Sequence, residues 1–182
     1  MRFAPHLPLH GLLALGACAF ASAAFSQTPA PAATGAQATS TPYAVGAQRS
    51  GISKCVARIN QVTGFVTGNN ANSGMVLTSG NKDANTNITS SVIEVEGNGT
   101  TSFVSTSFAP GPGNADCSGT YDAVVYWAAS CAQVATANFG TFKPAPRPLL
   151  KAVNMLDGGP FVKVFLMPAG TGCVSIKKEM VF

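Results

Sequence analysis

Histidine is nearly absent from this sequence, and its two copies, His6 and His10, both lie close to the N-terminus. Histidine is the commonest general base, and it is the usual activating partner of a serine or cysteine nucleophile. The rest of the chain therefore lacks the residue that most hydrolases use as a general base or to activate a nucleophile. We expect no enzymatic activity and predict no catalytic residues.

Charged side chains are also scarce, at 10% of the residues, with a formal net charge of +4. The basic residues are scattered, and only Lys177 and Lys178 are adjacent. A nucleic-acid-binding face is normally denser in lysine and arginine, so we expect no nucleic-acid partner. Hydrophobic residues reach 46%, which argues for a folded chain over most of its length.

Cysteine pairs with the C-x-x-C spacing of zinc sites are missing. A zinc ion would need all four cysteines that follow Cys18 as thiolate ligands. In an oxidising compartment, cysteines rarely remain thiolates, because they form disulfides. We therefore predict no metal and no cofactor.

Long apolar runs are lacking except near the N-terminus, where Arg2 precedes an apolar stretch over residues 11–20. That stretch is about ten residues long, too short for a bilayer, which needs about 20. Small residues follow it, and we predict a signal peptide over residues 1–24 and no membrane span. A rival interpretation is a bacterial lipobox that makes Cys18 a lipid anchor, but the residues after Cys18 remain apolar, which disfavours it.

Residues 25–48 are rich in alanine, proline and threonine, and we predict that they form a flexible spacer. Residues 49–182 are then a single folded domain. The leader and the even number of remaining cysteines together predict a periplasmic or secreted protein.

Apolar periodicity outlines the domain. It predicts a helix over residues 50–64, a hairpin with arms at 88–96 and 100–108, and a strand over 119–127. Ser130 and Gln133 form a capping box that starts a second helix, and a three-stranded meander completes the chain. The predicted class is α+β, with a largely antiparallel sheet of about six to seven strands and two short helices.

Two disulfides are expected to staple this domain. Four cysteines allow three connectivities. We predict Cys117–Cys131, which closes a short loop, and Cys55–Cys173, which joins the first helix to the last strand.

Aromatic residues concentrate around the predicted strand. Strict alternation places Tyr121 and Trp127 on one face, and we interpret this stretch as structural core. A candidate partner surface is formed by Tyr126, Trp127, Lys177 and Lys178, because tyrosine and tryptophan are enriched at binding hot spots.

The function predicted from these features is an exported, non-enzymatic domain that binds another envelope or extracellular protein. One alternative is a carrier of a small apolar ligand. A second alternative is a histidine-free hydrolase that uses Glu94, Glu96 or Asp122 as its carboxylates. An uncovered sheet edge beside a filled core favours protein binding, whereas a pocket that gathers these carboxylates favours the hydrolase.

Overall fold

The computed structural model describes residues 40–80, 83–97, 99–112, 117–145, 149 and 152–182. The predicted signal peptide, Cys18 and the first part of the predicted spacer lie outside the described residues. The described residues belong to one compact unit, Ala38–Phe182.

Eight strands and three helices make up this unit. The helices are α1 Pro42–Arg49, α2 Val56–Thr67 and α3 Cys131–Phe139. The strands are β1 Ala71–Leu77, β2 Thr89–Gly97, β3 Thr100–Ala109, β4 Ser118–Trp127, β5 Lys143–Pro144, β6 Asn154–Asp157, β7 Val162–Ala169 and β8 Gly172–Val181. All strands pair antiparallel in one sheet, in the order β1-β2-β3-β4-β8-β7-β6-β5. The α+β class is confirmed, and the sheet is slightly wider than predicted.

Helix α1 is a correction, because it occupies residues that we assigned to the spacer. The Thr41 side chain accepts a hydrogen bond from the Ala44 amide and caps the helix, and Pro42 stands at its first position. Tyr43, Ala44 and Ala47 are buried. The fold therefore begins near Thr41 rather than Arg49, because one tyrosine and two alanines at helical spacing suffice to dock this helix.

Helix α2 begins later and ends later than the predicted helix over 50–64. Gly64 lies inside it, and Gly68, at φ 52°, follows its last residue. The hydroxyls of Thr63 and Thr67 donate to backbone carbonyls four residues earlier, within the helix. Of the apolar stripe that predicted this helix, Ile52, Cys55, Ile59 and Val62 are buried, and Val56 is partly buried against the same core.

Two predicted elements are found where we expected them. Helix α3 starts with the capping box of Ser130 and Gln133, with both reciprocal hydrogen bonds present. The hairpin of β2 and β3 pairs in continuous register from Thr89 opposite Phe108 to Gly97 opposite Thr100, without a bulge.

The three helices cover only one face of the sheet. Under α1 and α2 lies a core cluster that includes Ile93, Val104, Phe108 and Tyr121, and under α3 lies a second cluster that includes Leu156, Val164 and Leu166. Directly opposed residues share a face in an antiparallel sheet, so these side chains all point to the same side. Val162, Val164 and Leu166 alternate along β7 and face the helices.

The other face, which we call the open face, carries no described helix. It exposes a set of large apolar side chains, which are Met75, Leu77, Phe103, Tyr126, Phe161, Met167, Met180 and Phe182. An exposed apolar patch of this extent usually marks an interaction surface.

The fold consists of two similar halves joined by the pairing of β4 with β8. Each half is a helix followed by a four-stranded meander, namely α2 with β1 to β4 and α3 with β5 to β8. In each half a disulfide ties the start of the helix to the start of the fourth strand, as Cys55–Cys117 and as Cys131–Cys173.

The disulfide connectivity that we predicted is therefore wrong. Cys117 precedes β4 and Cys131 follows it, and the ten residues of β4 extend over about 33 Å. The two sulfurs cannot meet across that length, since bonded cysteines have Cα atoms about 4.4–6.8 Å apart. Cys131 instead reaches Cys173, which lies opposite Trp127 at the end of β4.

We predict that removing the second bridge, in Cys131→Ala/Cys173→Ala, lowers the free energy of unfolding by about 4 kcal/mol. The disulfide closes a 42-residue separation, and the loss of that cross-link restores loop entropy to the unfolded chain. Urea denaturation measures the change, and peptide mapping of the oxidised wild type tests the pairing. A peptide that joins Cys117 to Cys131 would contradict the structure.

Candidate functional site: the outer edge of β1

The two edges of the sheet differ sharply in how they are protected. The β5 edge is two residues long and consists of Lys143 and Pro144. Short length, lysine and proline are the devices by which natural proteins prevent an edge from pairing with another strand. The β1 edge, Ala71–Leu77, has seven residues, no charge and no proline, and six of them are exposed. No described strand pairs with the outer side of β1, so its outward-pointing main-chain N–H and C=O groups are available to pair with an added strand.

Helix α1 holds β1 in place at this edge. The Tyr43 hydroxyl donates a 2.9 Å hydrogen bond to Oδ1 of Asn72. Gly74 permits the close approach, because a Cβ atom there would lie 2.2 Å from the Val92 carbonyl oxygen and 3.1 Å from the Tyr43 ring. The position of β1 thus depends on the hydrogen bond from Tyr43 and on the presence of glycine, which has no side chain, at position 74.

A groove of about 450 Å³ runs between α1 and β1. Tyr43 contributes to its helical wall, together with the smaller residues Pro42, Gly46 and Ser50. These three are spaced four residues apart along α1 and its C-cap, and so lie on one side of the helix. These small residues leave room beside Asn72–Val76. The eight residues of α1 span about 12 Å, which is the length of about four residues of an extended chain.

An acidic hollow of about 220 Å³ lies on the open face beside the same strand. Glu94 is opposite Ser73 and Glu96 is opposite Ala71, so both carboxylates share this face. Neither forms an ion pair with a described residue. Because Ala71 and Ser73 are small, a long basic side chain that enters from the edge can cross β1 and reach the carboxylates.

Asp122, the third candidate carboxylate, lies elsewhere. It is on the open face of β4, and its Oδ2 atom is 2.9 Å from Nζ of Lys178. The acidic hollow contains Glu94 and Glu96 but not Asp122, so the structure does not bring the three carboxylates together.

The four residues of the predicted partner surface are divided between the two faces of the sheet, which corrects that prediction. Tyr126 and Lys178 are on the open face, whereas Trp127 and Lys177 are on the helix side. Trp127 is partly buried against the cluster under α3, and its Nε1 donates a 2.8 Å hydrogen bond to Oγ of Ser175. Trp127 is therefore structural, as expected, and shares its face with the buried Tyr121.

Sequence reasoning missed a polar cluster on the helix side of β4 and β8. The Tyr121 hydroxyl donates to Oε2 of Glu179 at 2.6 Å, and Nζ of Lys177 lies 2.8 Å from each of these oxygens. The Lys177 ammonium also lies over the rings of Phe65 and Tyr121. Residues 121 and 179 are far apart in the chain, so only the strand register, which places them opposite each other, could have revealed the cluster.

Burial raises the pKa of Tyr121, and its hydrogen bond to the Glu179 carboxylate raises it further. Burial also raises the pKa of Glu179, but the hydrogen bonds from Lys177 and Tyr121 oppose this effect, and the net result is a lowered pKa. The tyrosine thus stays protonated and the glutamate stays ionised. Each member of the cluster binds another member, which is typical of a structural network rather than a binding site.

No protein-family model, no curated protein and no solved structure matches the chain. Within the described ranges, no helix combines the length and apolar character that a membrane crossing requires. The same residues contain no group of three or more side chains able to hold a metal ion.

We predict opposite effects for alanine at the two glycines of the groove. At Gly46 the new Cβ meets only the Val76 side chain at 3.5 Å, so Gly46→Ala should stabilise the helix by about 1 kcal/mol. Gly74→Ala should destabilise the protein by about 1–3 kcal/mol, because its Cβ overlaps the Val92 carbonyl. Thermal and urea unfolding measure both changes. Equal stability of the two variants would contradict the close approach of β1.

Proposed function

We propose that this protein is an exported, non-enzymatic domain that binds an extended segment of another envelope or extracellular protein as a ninth strand beside β1. The observation that carries the proposal is the long, uncharged and uncovered β1 edge next to the groove under α1. The predicted signal peptide and the two disulfides support a periplasmic or extracellular location.

Strand addition supplies affinity through main-chain hydrogen bonds, and specificity through the side chains that alternate between the two faces. On the helix side, the incoming residues meet Tyr43, Gly46 and Val76, which suit small or β-branched apolar side chains. On the open face they meet the hollow of Glu94 and Glu96, which suits lysine or arginine. The proposed ligand is therefore an extended segment in which apolar residues alternate with at least one basic residue.

The two rival functions have weaker support. A ligand carrier needs a pocket that buries most of a small molecule, whereas the groove and the hollow are open to solvent along the edge. A carboxylate hydrolase needs one acid kept protonated by a desolvated environment, and Glu94 and Glu96 are both exposed. Asp122 is held by Lys178 outside the acidic hollow.

The proposal is tested by selecting peptides from a random library on the oxidised protein and measuring their affinity by calorimetry. We expect the selected peptides to alternate apolar and basic residues. Methylating the backbone nitrogens that face β1 should abolish binding, while methylating those that point away should preserve it, since only the former donate to the strand. If both sets of N-methyl peptides bind equally, strand addition is wrong.

Two variants locate the site. Gly46→Leu fills the groove from a helical position that favours leucine over glycine, so it should abolish peptide binding without loss of stability. Glu94→Gln/Glu96→Gln should leave the preference for an extended apolar peptide intact but remove the selection for lysine and arginine. The matched control is Asp122→Asn, which changes a carboxylate on the same face outside the hollow. Loss of binding in this control, with Gly46→Leu still active, would contradict the site.

A further inference from the structure

The open face carries an apolar row that crosses five strands. Cross-strand pairing places Phe103 opposite Val124, Val124 opposite Ile176, Ile176 opposite Phe165 and Phe165 opposite Met155. Phe103 is 52% exposed. Tyr126 and Met167 extend this apolar surface on the adjacent row.

A charged row runs beside the apolar row. Asp122 is opposite Lys178, Lys178 is opposite Lys163, Lys163 is opposite Asp157 and Asp157 is opposite Lys143. The Asp122–Lys178 pair lies at the middle of the sheet, on the two central strands. Both signs of charge therefore occur close to the centre of the open face.

The size of the open face suits a protein interface. Eight strands spaced about 4.8 Å apart, most of them eight to ten residues long, give a face of about 1,000 Å². A standard stable interface buries about 800 Å² on each partner. The open face alone is thus large enough to hold one partner of its own size.

We propose that the partner is a second copy of this chain, packed open face to open face about a twofold axis that runs parallel to the strands between β4 and β8. This axis lays β4 over β8 of the second copy and β3 over its β7. Aligned sheets of this kind pack about 10 Å apart with interdigitating side chains.

The face is complementary to itself about this axis. Phe103 meets Phe165 of the second copy and Val124 meets its Ile176, each contact occurring twice. Asp122 meets Lys178 of the second copy, and the reciprocal pair forms as well.

The remaining rows combine large residues with small ones. Phe161 lies over Ser107 of the second copy, and Met180 lies over its Thr120. Size complementarity of this kind allows two sheets to pack without voids.

A twofold axis perpendicular to the strands is disfavoured by the same residues. If it follows the charged row, it brings Asp122 against Asp122 and Lys178 against Lys178, and like charges in contact are destabilising. If the axis lies between the charged row and the apolar row, it places charged side chains against apolar ones, which buries unpaired charges. The axis parallel to the strands pairs opposite charges at the centre of the face. It sets charged side chains on apolar ones only toward the periphery, where Asp157 lies over Val92 of the second copy.

This interface leaves the outer edge of β1 and the groove under α1 uncovered, so main-chain strand addition does not depend on it. The acidic hollow lies on the open face, and the second copy places its Met155 over Glu94, so dimerisation restricts access to the hollow. Dimerisation and peptide binding are measured separately, and each can fail without the other.

The mass of the oxidised protein in solution, from sedimentation equilibrium over a range of concentrations, tests the proposal. We expect a dimer for the wild type and a monomer for Phe103→Ser. The matched control is Phe65→Ser, which removes an exposed phenylalanine on the helix side and should leave the dimer intact. Near-ultraviolet circular dichroism checks that all three proteins are folded.

Cross-linking then tests the axis, in a Cys18→Ser background whose other cysteines are oxidised. A mixture of Ser107→Cys chains and Phe161→Cys chains should be joined by a short bifunctional maleimide. Ser107→Cys alone should cross-link poorly, because three strand spacings, about 14 Å, separate its two copies across the axis. A wild type that is monomeric at every concentration would overturn the proposal. So would a dimer that survives Phe103→Ser, or one in which Ser107→Cys cross-links to itself as well as the mixture does.

Discussion

The pairing of β4 with β8 is the interaction on which the rest of the structure depends. Nine consecutive residue pairs, from Gly119 opposite Val181 to Trp127 opposite Cys173, join two meanders that are otherwise built separately. Each disulfide ties a helix to the start of one of these central strands. Loss of this pairing would separate the two core clusters from each other. It would also disrupt the polar cluster around Tyr121 and the centre of the open face, because both are built across β4 and β8. Strands β4 and β8 are therefore the stable frame for every other element.

A sheet of this width creates surfaces that its helices do not cover. The three helices bury one face, and the second face keeps its apolar and charged rows exposed. The two edges are also unequal, because Lys143 and Pro144 close one of them while Ala71–Leu77 leaves the other open. Both proposals follow from this asymmetry, since one assigns a peptide strand to the open edge and the other assigns a second copy to the open face.

Local signals in the sequence predicted the elements that local chemistry determines. The capping box at Ser130 and the alternation around Tyr121 and Trp127 needed only neighbouring residues, and both predictions are confirmed. The connectivity of the disulfides failed because it depends on the direction of β4 and on its partner β8, which are properties of the whole sheet. The first part of β1 was missed because its Asn, Ser and Gly residues are typical of a loop, and only pairing with β2 makes them a strand. Helix α1 was missed because its alanines gain their burial from α2 and β1 rather than from the local sequence.

Native-state hydrogen exchange, read residue by residue, tests this account most directly. We expect the amides of β4 and β8 to exchange only through global unfolding, because no smaller opening separates the two halves. Every second amide of β1 should instead exchange rapidly, because it points away from β2 with no described acceptor, while the amides between them should show intermediate protection. Uniform protection along β1 equal to that of β4 would contradict an open edge. If the β8 amides exchange through openings whose free energy is well below that of global unfolding, the central role of the β4–β8 pairing is contradicted.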